Sequence, residues 1–202
     1  MTAKDSGLYR GILAGLNLGC IAFIGWLIAG MNPGSLAGPG DFAPRLMSPC
    51  VMDQEGYLRG RLYGSLEESL DWQGSDMLCD GMPRPEGQGI RLVFGEQQSA
   101  DQGGLVIVIG LADAVLGEDG GELEANVTVV DQINGQFYST QAEPRCWVRL
   151  TNQLRLKGTS TETWRLDGQL YCASALAALT GPGSLTLGDI TFSGIMKPAV
   201  SQ

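Results

Sequence analysis

Residues 164–172 read Trp164-Arg165-Leu166-Asp167-Gly168-Gln169-Leu170-Tyr171-Cys172, and this stretch decides the fold class. Trp164, Leu166, Gly168, Leu170 and Cys172 fall on one face, and Arg165, Asp167, Gln169 and Tyr171 on the other. Successive side chains of a strand point to opposite faces, so a period of two predicts a half-buried antiparallel strand. A helix of this length would scatter the same apolar residues around its circumference.

The signal recurs to either side. Residues 57–63 alternate, 90–94 and 105–111 are short apolar runs, and 146–150 and 185–196 read as further strands. Residues 127–131 and 136–140 flank Asn134-Gly135, a pair that accepts the positive φ of a tight hairpin turn. The 30 glycines and 9 prolines are spread along the chain, which fits short strands joined by turns. A short helical turn is expected only near 174–179. Residues 50–202 are therefore expected to form one all-β exported domain, an antiparallel β-sandwich or a partly closed barrel.

Four cysteines belong to that domain: Cys50, Cys79, Cys146 and Cys172. An even number in an oxidising compartment predicts two disulfides. Sequential pairing, Cys50 with Cys79 and Cys146 with Cys172, keeps each bridge within one half of the domain. A metal site is disfavoured, because CxxC spacing and histidine are both absent.

The N-terminus has a different character. From Leu8 to Met31 the chain is apolar or small, with no charge after Arg10, and about 20 residues of helix span the roughly 30 Å hydrocarbon layer of a bilayer. One transmembrane helix is expected within residues 1–31, acting as an uncleaved signal anchor. Lys4 and Arg10 place its start in the cytoplasm and the domain on the exported, periplasmic side of an inner membrane. Cys20 does not fit a lipoprotein cleavage site, because apolar residues continue beyond it. Gly7, Gly11, Gly15 and Gly19 recur every four residues, and at 100° per residue Ala22 and Ala29 continue the stripe that Gly11 and Gly15 begin. Such a stripe lets another helix approach closely, although Leu18 and Trp26 intrude on its sector. Residues 32–49, rich in proline and glycine, are expected to be a linker.

Charge and composition exclude several functions. Of 13 basic and 22 acidic side chains, Lys4, Arg10 and Asp5 lie in the first ten residues, leaving a formal charge of −10 on the rest. Nucleic acid is a poor partner for such a surface, and so is a polybasic contact with anionic lipid. Histidine is absent, which removes the commonest general base and transition-metal ligand. No residue is assigned to catalysis, to a cofactor or to a metal. Glu118, Asp119, Glu122 and Glu124 lack the regular spacing of a calcium loop, and Glu67, Glu68 and Asp71 read as a solvated face. The candidate interface is Tyr57, Arg59, Arg61 and Tyr63, which alternate on an outward face and are residue types favoured in protein contacts.

An anchor, a Gly/Pro linker and a disulfide-stapled domain ending in Leu185-Thr186-Leu187-Gly188-Asp189-Ile190-Thr191-Phe192-Ser193-Gly194 are loosely similar to small exported bacterial β-sandwich proteins. No motif in the pattern carries functional residues over. The expected function is that of a non-catalytic accessory subunit of an inner-membrane complex, of the electron-transport or light-harvesting kind, whose partners are other transmembrane helices and whose β-domain caps the complex. The alternative is a membrane-tethered binding module for a protein, glycan or lipid.

Overall fold

Alternation at 164–172 is realised over most of the strand: Leu166 and Leu170 are fully buried and Asp167, Gln169 and Tyr171 keep partial exposure on the opposite face, but Arg165, expected to point outward, is only 8% exposed. The computed structural model describes residues 47–51, 54, 56–86, 88–97, 104–118, 121–141, 145–159 and 161–198. All of them belong to one unit, Phe42–Gln202. The glycine row, the apolar segment and most of the linker lie outside the described residues. Among the described residues no helix is long and apolar enough to cross a membrane.

The described strands are β1 Ser48–Pro49, β2 Tyr57–Gly64, β3 Glu68–Gln73, β4 Met77–Pro83, β5 Ile90–Glu96, β6 Leu105–Leu111, β7 Glu122–Asp131, β8 Gln136–Ser139, β9 Cys146–Arg155, β10 Trp164–Cys172, β11 Leu176–Ala178, β12 Ser184–Leu187 and β13 Ile190–Met196. Every pairing is antiparallel, and a single 3₁₀ turn at Gly74–Asp76 is the one helical element described. The all-β expectation holds, and the helical turn expected near 174–179 does not. There, Leu176 is drawn into the core while Ala177 and Ala178 pair with Ser139 and Tyr138.

Strand β7 is the branch point of the sheet. One edge pairs β6 over 105–111; on the other edge Glu122–Ala125 pairs β9 and Thr128–Asp131 pairs β8. The path β7–β8–β11–β12–β2–β13–β10–β9 returns to β7, a closed circuit of ladders. From β7 the sheet also runs through β6, β5 and β4 to β1, and this arm folds back over β13. The backbone N–H of Lys197 donates to the carbonyl of Gly81 at 2.9 Å.

One core fills the space between. Phe94 and Phe192, both fully buried, meet with ring centroids 5.5 Å apart. Around them pack Leu58, Leu62, Leu92, Ile107, Val148 and Leu166, each 0% exposed, and burying one such side chain contributes about 1.5–3 kcal/mol. The two bridges are the sequential ones, Cys50–Cys79 and Cys146–Cys172, with Cα–Cα distances of 5.1 and 3.9 Å.

Two strands carried a weaker sequence signal than their structure warrants. In β3, Leu70 and Trp72 are buried between exposed Ser69, Asp71 and Gln73, so the period of two is present beneath a heavy acidic charge. In β4, Asp80 is only 8% exposed and interrupts the apolar run, with the ammonium of Lys197 3.9 Å from its carboxylate. Ser48 and Pro49, expected in the linker, form a two-residue strand at the edge of β4, a place where proline is tolerated.

Candidate interaction surface

Strand β2 presents Tyr57, Arg59, Arg61 and Tyr63 outward while Leu58 and Leu62 enter the core. The guanidinium of Arg59 lies 5.0 Å from the ring centroid of Tyr57, and that of Arg61 lies 5.7 Å from the ring of Tyr63. Both cations are thus within the range of attraction to a ring face. Arg59 also donates to Asp71 at 2.9 Å and to Gln73 at 3.0 Å, both on β3. This ion pair joins side chains that are 51% and 70% exposed, so it contributes about 0–1 kcal/mol and fixes direction more than stability.

Register extends the face well beyond β2. Asp71 stands opposite Arg59, Arg59 opposite Thr191, Thr191 opposite Gln169, Gln169 opposite Arg149, and Arg149 opposite Glu122. Residues directly opposite in a ladder point to the same side, so β3, β2, β13, β10, β9 and β7 each contribute one polar residue to a single transverse row. Beside that row Trp147 and Tyr171 are cross-strand partners, stacked with centroids 5.9 Å apart and planes 24° apart. The hydroxyl of Tyr171 hydrogen-bonds Glu122. That bond raises the phenol's pKa above its ordinary value, burial and the Glu122 charge raise it further, and the Arg149 charge opposes them.

Four aromatic rings and three arginines therefore share the outer side of neighbouring strands. Trp147, Arg149 and Tyr171 were not singled out from the sequence. Each sits on the outward beat of an alternating strand, but only the β9–β10 and β7–β9 registers bring them together.

No family model matches the chain, and neither a curated protein nor a solved structure matches it. The chemistry of the surface must be read from its own residues.

Asp167 is the most heavily bonded polar group near this row. It accepts from Ser193 Oγ at 2.6 Å and from Asn152 Nδ2 at 2.9 Å, and Arg165 Nε stands 3.5 Å away. Ser193 is 3% exposed, so this serine and aspartate form one fixed, largely buried polar cluster. Glu122 and Glu124 lie in β7, outside any loop, and Glu122 is 3.6 Å from Arg149. Among the described residues no group of three or more carboxylate, thiol or imidazole side chains is placed to hold a metal ion.

Proposed function

We infer that the protein is a non-catalytic interaction protein, an accessory subunit of an inner-membrane complex. In this reading the glycine stripe of its first helix packs against partner helices, and its exported β-domain braces the complex through the outer face of β2, β9 and β10. The observation that carries the domain's part is the joint outward presentation of Tyr57, Arg59, Arg61, Tyr63, Trp147 and Tyr171. Rigid aromatic rings with arginines beside them offer large contact area at small entropic cost, which is why such residues dominate the energetics of protein contacts. The reading in which a helix only tethers a binding module uses the same face for a soluble ligand.

Purification of the full chain in mild detergent distinguishes the two. An accessory subunit co-purifies with other membrane proteins at fixed stoichiometry, and Arg61→Glu or Tyr63→Ala lowers that yield without changing the membrane fraction. Recovery of the chain alone, or as a small homo-oligomer, rejects the subunit reading in favour of the tethered module.

A further inference from the structure

A concavity of the described domain lies away from the aromatic face. It is a groove of about 910 Å³ between the end of β1 and the tip of the β9–β10 hairpin, floored by the end of β13. Its walls include Val51, Leu154 and Ile195, and Arg155, Lys157 and Lys197 line it with them. Val51 and Leu154 are 64% and 42% exposed, and Ile195 behind them is 7% exposed. None of the described lining residues is acidic, on a chain of net charge −9.

Two of these cations have carboxylates at hand outside the lining: Arg155 Nε lies 3.4 Å from Glu162, and Lys197 Nζ lies 3.9 Å from Asp80. The Arg155 pair is solvent-exposed and holds its cation only weakly, whereas Lys197 stands beside a nearly buried carboxylate and is partly committed to it. Lys157 has no ion pair among the described residues.

We propose that this groove binds the anionic headgroup of a single phospholipid, with the proximal part of its acyl chains against Val51, Leu154 and Ile195. The occupant must combine an anionic end with an apolar one, because the lining does. Backbone recognition of an extended peptide is disfavoured by what borders the groove. The N–H of Cys50 is used by Met77, that of Leu156 by Thr163 and that of Lys197 by Gly81, at 2.8, 2.8 and 2.9 Å, and Pro49 has none to offer. The acidic remainder of the domain works against adsorption to a charged bilayer, but beyond roughly 8–10 Å those charges are screened, so a headgroup inside the groove responds to its own cations. The proposal stands without the membrane anchor: fractionation tests the anchor, and lipid affinity tests the groove.

The test uses the full chain in a nonionic detergent, titrated with dihexanoyl phosphatidylglycerol, dihexanoyl phosphatidylcholine or glycerol phosphate and followed by native mass spectrometry. Phosphatidylglycerol is expected to bind at least fivefold more tightly than either comparison. Lys157→Gln and Lys197→Gln should each weaken it about fivefold, the scale of one cation near a lipid headgroup. Leu154→Ser should weaken the lipid and leave glycerol phosphate unchanged, and Arg145→Gln, exposed and outside the groove, should leave both unchanged. Equal affinity for the two lipids would overturn the proposal, as would glycerol phosphate binding as tightly as phosphatidylglycerol, indifference to the lysine variants, or displacement of the lipid by an equimolar polyglutamate peptide.

Discussion

Gly168 and Phe192 face each other across the β10–β13 ladder, and a Cβ on Gly168 would stand 2.6 Å from the tip of the Phe192 ring and 3.1 Å from the carbonyl oxygen of Arg149. The glycine makes room for the ring, and the ring in turn meets Phe94. Gly168 also sits at the register shift where β9 carries one extra residue against β10. Gly168→Ala is therefore expected to destabilise the domain by about 1–3 kcal/mol, the cost of overpacking a filled core. Gly121→Ala, with open space at its Cβ, should be close to neutral. Urea unfolding of the two variants checks the difference, and equal midpoints would mean that the Phe192 ring relaxes at no cost.

The bridges close spans of 29 and 26 residues, each expected to contribute about 2–4 kcal/mol. Alkylation of the unreduced protein should leave Cys50, Cys79, Cys146 and Cys172 unmodified, and peptide mapping should recover the two sequential cross-links. Extensive labelling of any of the four would argue against an oxidising compartment.

Tyr171 should ionise later than an ordinary tyrosine, whose pKa is about 10. Its bond to Glu122 favours the protonated phenol in the folded state, so the stability this provides is complete below that value and disappears as pH rises through the raised one. Glu122→Gln removes the charge and moves the titration back toward pH 10. The difference in ultraviolet absorbance between the wild type and Tyr171→Phe across alkaline pH isolates this phenol; a transition that ignores Glu122→Gln would contradict the assignment.

On the β2 face, Arg59→Ala is expected to alter unfolding stability by less than about 1 kcal/mol, since its ion pair is solvent-exposed. Partner co-purification should nonetheless fall. A loss of both together would make Arg59 a structural residue.

The glycine stripe lies outside the described residues, and its prediction comes from the sequence alone. Gly11→Leu and Gly15→Leu should leave membrane insertion intact while reducing association with partner helices, because a bulky side chain holds the backbones apart. Ile12→Leu should be mild. Equal co-purification of all three with wild type would reduce the helix to an anchor.

Much of the fold was legible because strand alternation is a local signal. Residues 105–111 and 164–172 have the strand limits that their side-chain pattern predicts, and the bridges follow the sequential order of the cysteines. Legibility failed where charge masked the pattern, as in β3, and where three residues, Leu176 to Ala178, are too few to show a period. In residues 185–196 one expected strand became two, separated at Gly188 and Asp189, and both pair with β2.

The sequence by itself determined which residues alternate, which cysteines are available, and that Tyr57, Arg59, Arg61 and Tyr63 share one side of a strand, since a neighbour two residues away along an extended chain is always on the same face. Only the tertiary structure decided what stands beside them. Trp147 and Tyr171 meet because β9 and β10 are in one particular register, and Arg155 and Lys197, 42 positions apart in the chain, line one groove because β13 ends beside the β9–β10 hairpin. Ladder register and the return of a sheet upon itself depend on packing the whole core at once, so no local stretch of sequence encodes them.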